Sequence, residues 1–259
     1  MHIMLTNDDG IHAAGLRAMY RHLRGAGHEV SVVAPLDQQS AVGHSVTMTR
    51  PLRVQKIVEA DFTGLAVSGT PTDCVKLGVT SLLPRQPNLL VSGMNAGANV
   101  GPDVLYSGTV AAATEAAAMG LPSCAVSHHS FRHLDLEEYA AFAVEQLARI
   151  PWPDMRGRRV MNLNLPACPY QECKGLCLCP QTNVPWRDWY EERKDPRGAS
   201  YWWLDGEIPM DRVESGTDKY QLERGYATLT PLKFEFTDHE ALQKLARALP
   251  GIESFAAAR

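Results

Sequence analysis

The sequence has no long apolar run and little net charge, and both absences exclude classes of protein. A membrane-spanning helix needs roughly 20 apolar residues, and no stretch of the 259 residues approaches that length. The formal net charge is only −4, which argues against a broad electrostatic surface for nucleic acid or for an anionic membrane. The first strand-like stretch begins beside Met1 and leaves no room for a signal peptide. We therefore expect a cytoplasmic protein. Any phosphate that it binds must be held by a local group of residues rather than by a broad positively charged surface.

Three well-known enzyme fingerprints are also missing. No G-x-G-x-x-G follows the first strand, and no G-x-x-x-x-G-K-[ST] occurs, so the Rossmann dinucleotide motif and the P-loop are absent. The sequence has no G-x-S-x-G elbow, which argues against Ser107 as an acyl nucleophile. The sequence therefore gives no support to a dinucleotide-binding, P-loop or acyl-transfer function.

Four of the six cysteines cluster late in the chain, at Cys168, Cys173, Cys177 and Cys179. Their spacing lacks the paired C-x2-C knuckles of a zinc site. The segment "GLCLC" alternates like a strand, which would place Cys177 and Cys179 on one face. We predict reduced thiols in a strand and its approach loop, with a structural zinc site as the alternative.

The first 166 residues alternate between strand-like and helix-like patterns, which predicts an α/β fold. We expect a Rossmann-like, doubly wound and mostly parallel sheet with helices on both faces. Strands are predicted at 2–6, 29–35, 88–93, 123–128 and 159–166, with a further pair at 52–58 and 64–69. Helices are predicted at 14–27, 70–83, 108–120 and 134–150.

The character of the sequence changes after residue 166, where tryptophans, prolines and short strand patterns become common. We assign residues 1–166 to a Rossmann-like α/β core and residues 167–259 to a β-rich C-terminal extension with a final helix near 238–249. The extension is expected to pack on the core.

Polar loops follow four of the predicted strands, at 7–10, 35–45, 69–74 and 92–110. In a parallel sheet with right-handed crossovers these loops meet at the carboxyl edge of the strands. Ligands of such sheets bind in the crevice at that edge. The topology therefore predicts one site that is built from all four loops.

Two adjacent carboxylates, Asp8 and Asp9, follow the first strand in the segment "NDDG". In a loop both side chains can turn to one point, where two carboxylates share a proton or neutralise a cation. Oxygen ligands of this kind suit one Mg²⁺ or Mn²⁺ ion. The alternative is that one aspartate caps the helix starting near residue 13 while the other is solvated. We favour the metal site.

The loop 92–110 supplies the second half of this predicted site. Asn95 offers an amide oxygen as a neutral ligand, and "YSGTV" opens an Ala-rich helix with Ser107, Gly108 and Thr109 at its N-terminal end. Free N–H groups and the helix dipole favour an anion there. The alternative is an ordinary N-terminal cap, which occurs on helices of any function.

Histidines near these loops are predicted to be solvated rather than ligating. They are those of "SHHSFRH" (127–133), which follows a strand, and His44, which lies near Ser40.

Seven segments, spread over most of the chain, carry a resemblance to a known family. They are "LTNDDGIHAAG", "VVAPLDQQSAVGHSVT", "GTPTDCV", "VSGMNAGANVGPDVLYSGTVAAATE", "LNLP", "DPRGASYWW" and "GYATLTPL". In these segments and in their order the chain resembles the survival protein SurE nucleotidases. The long fourth segment is the most specific of the seven.

The resemblance implies a divalent-metal-dependent phosphohydrolase, a 5′-nucleotidase acting on nucleoside 5′- and 3′-monophosphates and in some members on short polyphosphate. The implied ligands of one Mg²⁺ or Mn²⁺ ion are Asp8, Asp9, Ser40 and Asn95. The implied phosphate-binding residues are Asn95, Ser107, Gly108 and Thr109. The implied catalytic residues are Asp8 and Asp9, in the core of residues 1–166. The implied partners are a small-molecule nucleotide and further copies of the chain in a homodimer or homotetramer, in which the extension of residues 167–259 packs on a neighbouring subunit and serves in oligomerisation.

Four residues depart from the family pattern, namely Ala14, Ala41, Asn88 and Ala227. None of them removes an implied ligand. In the expected reaction a metal-activated water attacks the phosphoryl group. Which aspartate accepts the proton of the water stays open, as does direct attack by a carboxylate.

Two rival functions are a nucleotide-binding module without hydrolysis and an aspartyl-phosphate phosphotransferase. The phosphotransferase would need a D-x-D after the first strand, whereas the two acids here are adjacent.

Overall fold

Strands and helices alternate along the first two thirds of the chain. The computed structural model describes residues 1–131, 135–155, 157, 159–249 and 252. The strands are β1 (His2–Thr6), β2 (Glu29–Pro35), β3 (Val54–Val58), β4 (Thr63–Val67), β5 (Leu89–Ala96), β6 (Ser123–His128), β7 (Arg159–Leu165), β8 (Leu176–Leu178), β9 (Arg187–Lys194), β10 (Ser200–Glu207) and β11 (Ala227–Lys233). The α-helices are α1 (Ala14–Gly25), α2 (Pro71–Leu77), α3 (Gly108–Ala118), α4 (Leu136–Arg149), α5 (Asp218–Glu223) and α6 (His239–Ala248).

A mixed, mostly parallel sheet forms the centre of the molecule. Its strand order is β3-β4-β2-β1-β5-β6-β7-β11-β8, and the strands from β4 to β7 in this order are parallel. The predicted pair at 52–58 and 64–69 is the antiparallel pair β3 and β4. The α/β prediction is confirmed, and the carboxyl ends of β1, β2, β4 and β5 lie at one edge.

Helices cover both faces of this sheet, because successive side chains of a strand point to opposite sides. Ile3 and Leu5 of β1 pack into one apolar cluster with α1 and α4, whereas Met4 packs into a second cluster with α2 and α3. In α1 the predicted apolar side chains at helical spacing are buried: Leu16, Met19, Tyr20 and Leu23. The core therefore consists of two apolar layers with the sheet between them.

Helix α2 is shorter than the pattern at 70–83 predicts. A capping box with Pro71 in the first turn starts it, since Thr70 and Asp73 satisfy each other's backbone N–H groups. The regular α-helix ends at Leu77 and passes into a π-helical turn, Gly78–Leu82. A side chain at position 78 would collide with Met4, because an added Cβ would lie 2.5 Å from its Cε.

Part of the chain after residue 166 adds strands to the central sheet, and another part forms a separate hairpin. β11 runs antiparallel to β7, and the short β8 pairs with β11 at the edge. β9 and β10 form a separate antiparallel hairpin whose residues are almost all exposed. The contact of this extension with a neighbouring subunit stays a prediction.

The six cysteines are all free thiols. β8 contains Cys177, and Cys179 is buried just beyond it. Within the described part of the chain, no three His, Cys, Asp or Glu side chains are grouped so that they could hold a metal ion, which removes support from the zinc alternative. No helix in the same part is long and apolar enough to span a membrane.

Candidate active site

Asp8 lies at the carboxyl end of β1 and points at the first turn of α3. Asp8 is only 5% exposed, and its Oδ1 accepts a hydrogen bond from the Thr109 hydroxyl. Burial, opposed by this hydrogen bond and assisted by the charge of Asp9, raises the pKa of Asp8 to about 6. The ionised form of Asp8 is therefore held at a cost in free energy.

Asp9 is half-buried and reaches the last residue of β5. Its Oδ2 accepts a hydrogen bond from the backbone N–H of Ala96 at 3.0 Å. Neither aspartate is the N-terminal cap of α1, because that position is occupied by Ala13 and no side-chain cap hydrogen bond is formed there. The alternative that one acid caps the following helix is therefore wrong.

The start of α3 fits against Asp8 only because residue 108 is glycine. A Cβ built at Gly108 would lie 2.8 Å from the Cβ of Asp8 and 3.2 Å from Cγ of Pro71. Ser107 caps the helix, with its Oγ accepting the N–H of Val110 at 3.1 Å. The ordinary capping role that the sequence leaves open is thus real, and it leaves the hydroxyl hydrogen of Ser107 able to donate.

Asn95 is placed by an irregularity in β5. Between Ser92 and Asn95 this strand advances three residues while β6 advances two, so one extra residue bulges out. Gly93 allows the bulge, since a Cβ there would lie 2.2 Å from the carbonyl oxygen of Val126. The Asn95 side-chain nitrogen donates to Gly97 O at 2.8 Å, which fixes the orientation of the amide and leaves its oxygen as an acceptor.

Ser40 lies in the loop after β2 and is exposed. The backbone N–H of Gln39 donates to the carbonyl oxygen of Asp8 at 2.7 Å, which ties this loop to the acids. The Ser40 Oγ accepts from the Gln38 side chain at 2.8 Å. Ala41, which stands at one of the departures from the family pattern, has a φ of 55°, in the left-handed region that glycine adopts more readily.

Comparison with known proteins shows the family of this chain. A family model described as "Survival protein SurE" matches residues 3–188. The chain belongs to the SurE family. The resemblance stated from the sequence is thereby confirmed.

Relatives of the SurE family resemble this chain over nearly its whole length. A protein named 5′-nucleotidase SurE from Nitratidesulfovibrio vulgaris (strain DSM 19637 / Miyazaki F) is 60% identical over 247 residues, covering 95% of this chain and 92% of the relative. Another of the same name from Oleidesulfovibrio alaskensis is 61% identical over 245 residues, covering 95% of each. The crystal structure of the SurE protein from Aquifex aeolicus matches with a TM-score of 0.81 at 33% identity, covering 96% of this chain and 99% of that one.

A network of buried asparagines, which sequence reasoning missed, fixes the SurE loop between Asn95 and Ser107. Asn99 donates its backbone N–H to Asn164 Oδ1 at 2.8 Å and its side-chain nitrogen to Ser127 Oγ at 2.7 Å. Asn162 donates to the carbonyl oxygen of Asn99 at 2.8 Å. The signal was present, since polar residues alternate with apolar ones in the segment "LNLP" and the strand before it.

Asp218 was also missed, and it ties the C-terminal extension to the same SurE loop. Its Oδ2 accepts the N–H of Gly101 at 2.9 Å, and its Oδ1 accepts the N–H of Thr182 at 2.8 Å. Burial, partly offset by these hydrogen bonds, raises the pKa of Asp218. No local pattern predicts this contact, because Gly101 and Asp218 are 117 residues apart.

The predicted solvation is wrong at His128, whereas His44 is exposed as predicted. His128 is 1% exposed and packs on Tyr139 with ring centroids 4.7 Å apart. His44 lies 2.8 Å from Glu115 through its Nε2. Arg132 and His133 of the same segment lie outside the described residues.

The implied ligands of the SurE site fit a hard divalent cation. Asp8, Asp9, Ser40 and Asn95 offer only oxygen donors, which Mg²⁺ and Mn²⁺ prefer. The charge that acts on Asp8 is the like charge of Asp9, and a bound cation would relieve that repulsion. Only two of the four residues are carboxylates, so they do not form a set of three or more His, Cys, Asp or Glu ligands.

Proposed function

We propose that this chain is a 5′-nucleotidase that hydrolyses nucleoside 5′-monophosphates to nucleoside and phosphate. The name 5′-nucleotidase SurE, carried by relatives 60% and 61% identical, supports nucleotidase activity. Dependence on a divalent cation, action on nucleoside 3′-monophosphates and action on short polyphosphate are finer parts of the same proposal.

The observation that carries the proposal is the contact between Asp8 and Thr109. It brings a buried carboxylate to the N-terminal end of α3, where the free N–H groups and the helix dipole favour an anion. A phosphate at the same helix end would be repelled by Asp8 and Asp9 unless a cation lay between them. A cation bound by the two aspartates would therefore allow a phosphate to bind at the same helix end.

Asp8, Asp9, Ser40 and Asn95 would hold the cation through oxygen atoms. When bound, Mg²⁺ or Mn²⁺ withdraws charge from a phosphoryl oxygen and lowers the pKa of a water molecule.

The first turn of α3 would bind the phosphoryl group. The N–H groups of Gly108 and Thr109 have no acceptor within the helix, and Ser107 can donate its hydroxyl hydrogen. These donors stabilise the charge on the phosphoryl oxygens as water attacks phosphorus and the ribose oxygen leaves. One of the two aspartates accepts the proton that the water loses, and the leaving ribose oxygen takes up a proton from the solvent.

The test is phosphate release from AMP, 3′-AMP and short polyphosphate by the purified chain. Chelation with EDTA should abolish release, and Mg²⁺, Mn²⁺, Co²⁺ or Zn²⁺ added back singly should show which ions restore it. Retained AMP binding without hydrolysis under all conditions would favour the binding module. Transfer of labelled phosphate onto the protein and then to an alcohol would favour the phosphotransferase.

Asp9→Asn is the sharpest single variant for this test. It should abolish turnover because the charge that the cation needs is lost, while circular dichroism and the melting temperature stay close to those of the wild type. Full activity in Asp9→Asn would overturn the assignment.

A further inference from the structure

The loop that carries Ser40 is tied down on both sides of that residue. Before it, the N–H of Gln39 donates to the carbonyl oxygen of Asp8 at 2.7 Å. After it, the N–H of Gly43 donates to the carbonyl oxygen of Tyr106 at 3.0 Å. The exposed Ser40 lies between these ties, so its position depends on both.

Glu115 of α3 strengthens the second tie through His44. The two side chains are 2.8 Å apart, between His44 Nε2 and Glu115 Oε2, and Lys76 of α2 donates to Glu115 Oε1 at 2.8 Å. The Glu115 side chain is 13% exposed. Burial acts to raise the pKa of Glu115, but hydrogen bonds from Lys76 and His44 outweigh it and hold the pKa below the usual range. An anionic Glu115 therefore joins the loop to two helices.

The loop needs such ties, because it contains a residue in an unfavourable conformation. Ala41 has a φ of 55°, in the left-handed region that is unfavourable for a residue with a side chain. Released from its contacts, this segment would relax toward extended backbone and carry Ser40 away from Asp8.

We propose that Glu115 and His44 are positioning residues that hold Ser40 where the cation binds. Neither is among the proposed ligands, and Glu115 acts on the site only through His44 and the loop. The inference rests on the proposed function, since it concerns the placing of one proposed ligand.

The chain contains a matched control for this contact. Glu137 of α4 is also a helical glutamate paired with a histidine and a basic residue, with Oε2 at 2.9 Å from His22 Nε2 and Oε1 bonded to Arg21. It lies between α1 and α4, on the face of the sheet opposite α3. Glu137→Gln and His22→Ala therefore remove the same chemistry without touching the Ser40 loop.

The experiment measures Mn²⁺ affinity, by electron paramagnetic resonance of the free ion, together with kcat and KM for AMP. Glu115→Gln and His44→Ala should each weaken Mn²⁺ binding about tenfold. The double variant should lose no more than either single one, because both remove the same contact. His44→Gln, whose amide still donates to Glu115, should recover most of the affinity, and both control variants should match the wild type.

Several results would overturn the inference. Wild-type Mn²⁺ affinity in His44→Ala would do so even if Glu115→Gln failed to fold, because His44 is an exposed loop residue. Equal losses in Glu115→Gln and Glu137→Gln would also do so, since they would show a general effect of charge. In both cases AMP hydrolysis by the wild type would leave the proposed function standing. Wild-type protein that neither binds Mn²⁺ nor releases phosphate would refute the proposed function and the inference together.

Discussion

At the scale of the residue, the buried position of Asp8 lowers the stability of the folded protein when this side chain is ionised. Its pKa of about 6, against an ordinary value of 3.8, means that burial and Asp9 disfavour the folded anion. The difference corresponds to about 3 kcal/mol at a pH above both values. The free energy of unfolding therefore falls as the pH rises from 3.8 to about 6.

Asp8→Asn should stabilise the protein and inactivate it. The folded pKa lies above the unfolded one, so the folded state binds more protons between these values and the wild type weakens as pH increases. In EDTA the variant should gain up to about 3 kcal/mol in free energy of unfolding at pH 8, and almost nothing near pH 4. Urea denaturation at the two pH values checks this; an equal change at both, or a loss at pH 8, would contradict it.

At the scale of the element, the N-terminal end of α3 illustrates a conflict between helix propensity and site geometry. Alanine favours a helix over glycine by up to about 1 kcal/mol. Glycine is nevertheless present at 108, because the helix end must approach Asp8 more closely than any side chain allows.

Gly108→Ala should therefore reduce AMP hydrolysis about 100-fold, the loss expected when reacting groups shift by an ångström. The matched control is Gly25→Ala at the end of α1, where an added Cβ meets nothing within 4 Å. The control should keep full activity. Activity of Gly108→Ala close to that of Gly25→Ala would show that α3 does not need its present approach to Asp8.

Elements set by local pattern were predictable from the sequence, and contacts between distant residues were not. The apolar runs of β1 and β2 and the helical face of α1 follow from neighbouring residues, and all three are confirmed. The strand predicted to end at 93 continues to Ala96, because a bulge has no signature beyond one glycine. The pairing of His44 with Glu115 joins residues 71 apart, which hydropathy patterns cannot register.

In the candidate site, too, some contacts were predictable from the sequence and others were not. The sheet topology predicts that the loops after β1 and β5 meet, and the contacts of Asp8 with Thr109 and of Asp9 with Ala96 show them together. The roles of Asp8, Asp9, Ser40, Asn95, Ser107, Gly108 and Thr109 stay predictions. Support from Asp218 could not be foreseen, because it comes from the far end of the chain.

At the scale of the whole molecule, the hairpin of β9 and β10 exposes an unusual amount of aromatic surface. Trp202 is 57% exposed, Trp203 59% and Tyr190 65%. Exposed apolar area of this kind is typical of protein–protein contacts. This surface is consistent with the predicted homodimer or homotetramer.

The chain should therefore sediment as a dimer or tetramer in analytical ultracentrifugation. Trp202→Ser combined with Trp203→Ser should shift it toward the monomer, because burial of two indole rings is lost, while far-UV circular dichroism stays the same. Val54→Ser, a 40% exposed strand position outside the hairpin, serves as the control. A wild-type chain that sediments as a monomer at micromolar concentration would refute the prediction.

The pairing of β11 with β7 has a consequence for the chain while it is being made. β7 ends at Leu165 and its neighbour β11 ends at Lys233, so about 70 residues separate the two in synthesis. At ordinary elongation rates that interval lasts roughly 3 to 14 s. During it the parallel sheet can form, but one side of the apolar strand β7 is an open edge able to pair with another nascent chain. Ribosome pausing between these two strands should therefore promote aggregation far more than pausing after Lys233.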